Sequence, residues 1–371
     1  MSDETTTDEA IVRRRWSRTS VGWILLSAAI LGVVGLSALP APYVIQMPGP
    51  VFNTLGSVDD SEGTEVPLIT VSGVESYETS GELSLLTVYV VGSPEDHPSW
   101  LEVIGSWFRP DYAVIPMDAI FPPGSSQQTE SEQAAIQMDN SKQEAIAAAL
   151  TELDIPFESH VVVSEAMEGY PAEGILEPGD VILTAAGESA ANVSDLRARI
   201  KEIGIGGSIE MTIERDGEPL TVSIGIVASD SDDTTPVIGV YTSGNYTFPF
   251  EVDIQLANVG GSSAGMMFAL GIIDELTPGF LNGGENVAGT GEITASGEIG
   301  PIGGIVQKAH GARGSGAEWF LVPADNCEAL VGHVPAGLRD ISVSTLDDAL
   351  AALEAISSGE GIDALPRCSA Q

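Results

Sequence analysis

The stretch FPFEVDIQLANVGGSSAGMMFALGIIDEL, residues 248–276, decides how the C-terminal part of this chain folds. Apolar residues alternate at Phe250, Val252, Ile254 and Leu256, the period of a strand with one buried face. The small-residue turn Gly260-Gly261-Ser262-Ser263-Ala264-Gly265 follows, and then an apolar run over 266–276 long enough for a buried helix. A serine at a strand-to-helix turn sits beside unpaired backbone N–H groups and the positive end of the helix dipole, which suits a nucleophile. The same position suits a simple helix cap, and the turn alone does not choose between them.

Downstream lies AGTGEITASGEIGPIGGIVQKAHGARGSGAEWFLVPADN, residues 288–326. Gly303-Gly304 punctuates it, and residues 305–312 read as a short helix on which Lys308, Ala309 and Ala312 share a face. The whole chain has three lysines, Lys142, Lys201 and Lys308, against 54 acidic residues. Burial among small and apolar neighbours would lower the pKa of Lys308 and leave a neutral amine able to take a proton. A lysine is ordinarily a solvated surface group, so spacing leaves both readings of Lys308 open.

Together the two segments resemble the proteolytic domain of the Lon protease family, over about 80 residues and through several ordered motifs. That family carries its nucleophile in G-P-S-A-G and its base in P-[IV]-G-G-x-x-x-K, preceded by T-G-E-I-T-x-x-G. Here they appear as Gly261-Ser262-Ser263-Ala264-Gly265, Pro301-Ile302-Gly303-Gly304-Ile305-Val306-Gln307-Lys308 and Thr290-Gly291-Glu292-Ile293-Thr294-Ala295-Ser296-Gly297. The segment FLVPADN, residues 320–326, matches a further L-[IV]-P-x-x-N. The resemblance implies an α/β (α+β) domain of the ribosomal-protein-S5-domain-2-like type and a serine endopeptidase. It assigns Ser263 as nucleophile, Lys308 as base and Thr290 as support for the lysine. The backbone N–H groups of Gly261, Ser262 and Ala264 become oxyanion candidates. It implies no metal and no cofactor, and a hexameric ring as the expected assembly. Ser262 stands where the family has proline, which loosens one φ angle of the turn.

The N-terminus MSDETTTDEAIVRRRWSRTS, residues 1–20, is a polar tail holding Arg13, Arg14, Arg15 and Arg18. Residues 21–39 are nineteen without a charge, the length of a transmembrane anchor. Basic residues before it predict a single-pass protein of the cell membrane, N-terminus cytoplasmic and bulk extracytoplasmic. A cleaved signal peptide is the competing reading, with Ser37-Ala38-Leu39-Pro40-Ala41 offering small residues.

Residues 45–130 read as an α/β region expected to pack on the peptidase domain, with a strand ELSLLTVYVV, a short helix over 100–107 and a loop over 121–133. Over 133–228 an alanine-rich helix precedes a segment resembling a mostly β PDZ domain. Pro178-Gly179-Asp180 turns into a strand, Asn192 or Ser194 caps a helix, and a hairpin crosses Asp216-Gly217. Such modules bind extended peptide at a sheet edge, so a peptide or protein ligand is an expected partner beside polypeptide substrates. SDSDDTTP, residues 229–236, reads as the linker to the Lon-type domain over 237–355, and 356–371 as a loose tail. The order of anchor, preceding region, PDZ domain and Lon-type domain resembles membrane-anchored Lon-like proteins of Gram-positive bacteria.

The formal net charge of −40 makes nucleic acid a poor partner. Cys327 and Cys368 are too few for a disulfide framework, though an oxidising compartment would let them pair. His97, His160, His310 and His333 show no metal spacing. No G-x-x-x-x-G-K-[ST] loop occurs, so the expected activity is ATP-independent. Two rivals stand beside it: a catalytically silent PDZ-containing membrane scaffold, and a C-terminal-processing Ser/Lys peptidase.

Overall fold

The computed structural model describes residues 18–60, 63–122, 124, 126–229, 232–257 and 259–369. Most of the polar tail, residues 1–17, lies outside the described residues.

Six strands form a central sheet in the order Arg339–Val343, Trp319–Pro323, Asn286–Gly289, Glu82–Val91, Tyr43–Asn53 and Ala113–Pro116. The first three pairings are parallel and the last two antiparallel. Alternation along the strands sends side chains to two cores. Leu83, Leu85, Val287, Leu321 and Ile341 pack with Phe268, Leu270 and Ile272 of the helix Gly265–Leu276. Leu86, Ala288, Phe320 and Val322 pack on the other face with Ile305, Ala309 and Ala312 of the helix Ile305–Gly314. Strands covered on both faces read as unbroken apolar runs, which is why FLVP is apolar throughout. Glu251–Ile254 pairs with Ile69–Ser72, the second place where residues before 91 join residues after 250.

A separate antiparallel sheet runs Glu218–Gly225, Ser208–Arg215, Val181–Ala185, Glu158–Ala166 and Val240–Thr247. Asn192 caps the helix Val193–Ile203 by accepting from the Asp195 N–H at 2.8 Å, and Leu196 and Ile200 of that helix enter the core of this sheet. The Pro178-Gly179-Asp180 turn is held by Arg215, which donates to Asp180, to Glu177 and to the Ile175 carbonyl.

Several expectations are corrected here. Residues 21–39 were expected to span a membrane, but no helix among the described residues is long and apolar enough to do so. The helix runs Arg18–Ala38 and stops before Leu39; Pro40 then bridges Ser99 and the Ala41 N–H donates to the Pro98 carbonyl at 2.8 Å. The transmembrane part of the expected fold class, the single-pass topology, the cell-membrane location and the membrane partnership are withdrawn with it. The loop expected over 121–133 gives way at Gln127 to the helix Gln127–Glu152, because the Ser126 side chain accepts from the Thr129 N–H and starts it early. The linker expected over 229–236 contains a strand, Asp232–Val237, paired with Val227–Ser229, and Val240–Thr247 belongs to the second sheet. Acidic composition favoured a linker, whereas backbone pairing decided the outcome. Cys327 and Cys368 form a disulfide.

Candidate active site

The turn that leads into the helix Gly265–Leu276 places Ser263 half-buried and Ala264 buried. Gly261 has φ of +92°, a left-handed value that favours glycine, and its N–H donates to the Ala134 carbonyl at 2.8 Å. The Ser262 carbonyl accepts from Ser141 Oγ at 2.9 Å, so two residues of the helix Gln127–Glu152 fix the turn from outside. From inside, the Ser263 carbonyl accepts from Thr290 Oγ1 and from the Gly291 N–H, each at 2.9 Å.

Lys308 projects from the helix Ile305–Gly314 and is 3% exposed. Gly304 starts that helix at φ of +70°, and a Cβ there would meet Val88 Cγ2 at 2.6 Å, so position and conformation both demand glycine. Lys308 Nζ lies 2.7 Å from Ser263 Oγ and 2.9 Å from Thr290 Oγ1. Burial pulls the lysine pKa down to about 7, while the Glu292 carboxylate acts the other way. Near neutral pH a substantial fraction of the amine is therefore uncharged and has a lone pair to offer.

Among the residues singled out from sequence, Ser263, Lys308 and Thr290 are brought together. Ser262 Oγ points elsewhere and donates to the Glu292 carboxylate. Gly261 was expected as an oxyanion donor, but its N–H is already engaged by Ala134 and that role is corrected. Among the described residues the N–H groups of Ser262, Ser263 and Ala264 donate to no partner. Sequence reasoning passed over Glu292 and Asn326, although both sit inside motifs it quoted. Asn326 is buried, accepts from the Ile302 N–H at 2.8 Å and donates to the Ile302 carbonyl at 2.9 Å. It thereby fixes the turn that feeds Gly303-Gly304 and the helix of Lys308.

A cleft of about 450 Å³ opens on the pair, with Phe52, Leu86, Val88, Tyr89, Met138 and Val259 among its walls. Beyond Leu85 the edge of Glu82–Val91 that faces Asn286–Gly289 has no partner strand among the described residues. A larger hollow of about 610 Å³ beside Leu350 and Glu354 is lined by three carboxylates and no basic group. Volume does not choose between them; the serine–lysine contact does.

Residues 257–355 match the family described as the Lon protease (S16) C-terminal proteolytic domain, and residues 130–214 match the PDZ domain. The chain is 41% identical over 95 residues to Lon protease 1 of Sorangium cellulosum, across 24% of this chain and 11% of that protein. It is 34% identical over 107 residues to Lon protease 2 of Bacillus subtilis, across 28% of this chain and 19% of that protein. The chain thus spans less than a fifth of the length of these relatives. A solved PDZ domain of an SdrC-like protein from Listeria innocua aligns at 26% identity over 22% of this chain and 92% of its own, with a TM-score of 0.21. Likeness to Lon-family proteolytic domains supports a protease function for the C-terminal part of the chain.

Proposed function

We propose that this chain is a serine endopeptidase in which Ser263 is the nucleophile and Lys308 the general base. The observation that carries the reading is a buried amine with a pKa of about 7 placed 2.7 Å from a serine hydroxyl at the mouth of a cleft. Neutral Lys308 takes the Ser263 proton as Oγ attacks the peptide carbonyl. The resulting ammonium gives that proton to the departing amine as the C–N bond breaks, leaving an ester on Ser263. Water then attacks the ester while Lys308 accepts its proton, and protonation of Oγ restores the enzyme.

The oxyanion is assigned to N–H groups of the turn, each worth about 3 kcal/mol in comparable sites. Ala264 is the favoured donor of the expected set. The Ser262 N–H is the weaker one, since the proline of the resembled motif has none to offer. Thr290 Oγ1 accepts from the Lys308 amine and donates to the Ser263 carbonyl, and so ties the base to the nucleophile turn. The substrate is a flexible polypeptide that pairs with the open edge of Glu82–Val91 beyond Leu85 and reaches Ser263 through the cleft. The segment matching the PDZ domain is assigned to capture of an extended peptide.

The test is incubation of the chain with unfolded casein in the absence of nucleotide, beside labelling with a fluorophosphonate. Fragment release together with a single adduct on the peptide containing Ser263 is the expected result. Release without an adduct, or an adduct on another serine, would overturn the assignment.

Asn326→Ala removes both bonds to Ile302 and lets the Lys308 helix start wander. Misplacement of a base by a fraction of an ångström is expected to lower casein turnover roughly tenfold. Asn326→Asp keeps the acceptor and loses the donor, so its rate should fall between the two. Equal rates in all three chains would show that the clamp has no bearing on the lysine.

A further inference from the structure

The helix Gln127–Glu152 touches both the nucleophile turn and the second sheet, and one of its side chains joins them. Ala134 and Ser141 hold Gly261 and Ser262. One turn beyond Ser141 lies Glu144, and both of its carboxylate oxygens are engaged: Oε1 accepts from the Tyr246 hydroxyl at 2.7 Å and Oε2 from the Ala295 N–H at 2.6 Å. Tyr246 is at the end of the edge strand Val240–Thr247. Ala295 closes the short run that also carries Thr290 and Glu292.

The tyrosine ring is fixed independently of its hydroxyl, edge-on to Phe157 at 5.9 Å and stacked on Phe248 at 5.7 Å. Burial and the Glu144 carboxylate push the Tyr246 hydroxyl above its usual range, so it stays protonated and donates. Along the same seam a cavity of about 180 Å³ separates Thr242 and Gly244 from Thr294, so close packing does not substitute for the carboxylate there.

We propose that Glu144 is a positioning residue: one carboxylate, bonded to Tyr246 and Ala295, holds the run of Thr290 and Glu292 in register with the edge strand of the second sheet. The placement of Lys308 against Ser263 then depends on where that sheet sits. This inference rests on reading Ser263 and Lys308 as the reacting pair, and its test separates the two.

The full chain and its Glu144→Ala, Glu144→Gln and Tyr246→Phe variants are compared for casein hydrolysis, melting temperature and amide exchange over 290–297. Glu144→Ala should lower kcat about tenfold and leave KM within about twofold, because the lost contact orients the reacting groups and does not touch substrate. Glu144→Gln should recover most of the rate, since its amide oxygen accepts from Ala295 and its NH₂ donates to the tyrosine oxygen. Tyr246→Phe should cost about threefold and add nothing in the Glu144→Ala background, the mark of a shared contact. Exchange over 290–297 should quicken in Glu144→Ala and Tyr246→Phe.

Unchanged kcat and exchange in Glu144→Ala would overturn the proposal, as would a common fall in rate and melting temperature that glutamine does not rescue. If the parent neither cleaves casein nor takes up a fluorophosphonate, the peptidase reading fails. The exchange measurement then decides the role of Glu144 alone, with quickening supporting it and no change sinking it.

Discussion

Ser263→Ala is expected to reduce casein hydrolysis by about 10⁴-fold or more, to the level set by oxyanion stabilisation and binding without a nucleophile. The neighbouring Ser262→Ala should stay within about fivefold of the parent, because loss of a contact that only shapes the site is worth far less than loss of the nucleophile. The adjacent hydroxyls make this a sharp comparison. Ser262 Oγ donates to Glu292, whereas Ser263 Oγ lies 2.7 Å from Lys308 Nζ. Ser262→Ala removes the donor to Glu292 and leaves the Ser263–Lys308 contact intact. Both side chains are small and neither is part of an apolar core, so melting temperatures should agree within a few degrees. Initial rates with fluorogenic casein and fluorophosphonate uptake by each variant decide the matter. An inactive Ser262→Ala beside an active Ser263→Ala would move the nucleophile one residue back and break the link to the lysine.

Much of this site was legible because its parts are coded in consecutive residues. A turn of small residues followed by the uncharged, largely apolar run over 266–273 reads as a tight entry into a buried helix. A lysine set among Ile305, Ala309 and Ala312 in a chain that otherwise avoids lysine is a chemical oddity that shows in the sequence itself. What stayed hidden depends on pairing between distant segments. The parallel register of Asn286 opposite Glu82 is set by cores on both faces of the sheet, and no run of neighbouring residues encodes it.

The Gly261 N–H looked free for an oxyanion because its acceptor, the Ala134 carbonyl, is a backbone atom on a helix far back in the chain. Glu144 is one carboxylate among 54 acidic residues and carries no motif at all. The acidic run over 229–236 misled for a related reason: polar composition describes what faces water, and an edge hairpin faces water as readily as a linker does. The uncharged run over 21–39 does form a helix, Arg18–Ala38, but no helix among the described residues is long and apolar enough to cross a membrane.

Lys308→Met is expected to be both nearly inactive and more stable than the parent. Loss of the base should lower kcat/KM by about 10³-fold or more, and Lys308→Arg should not restore it, because a guanidinium does not give up its proton in this pH range. In the proposed mechanism the reacting form of Lys308 is the neutral amine, so kcat/KM should rise with pH along a limb centred near the lysine pKa of about 7. Glu292 raises that pKa, so Glu292→Gln should carry the limb to lower pH. A limb that moved to higher pH would contradict the charge assignment. The stability effect has the same origin. The lysine pKa is depressed in the fold from its ordinary 10.5, so the unfolded chain binds the proton more tightly and stability falls as pH drops from above 10 through 7. Replacing the amine with a methionine of similar length removes that penalty. The gain in melting temperature should therefore be larger at pH 6 than at pH 9. A Lys308→Met chain that melts earlier than the parent at pH 6 would mean that the buried amine is a structural partner of Thr290 and Ser263 whose loss the fold feels more than its desolvation. Loss of turnover in that variant would then no longer speak for a base.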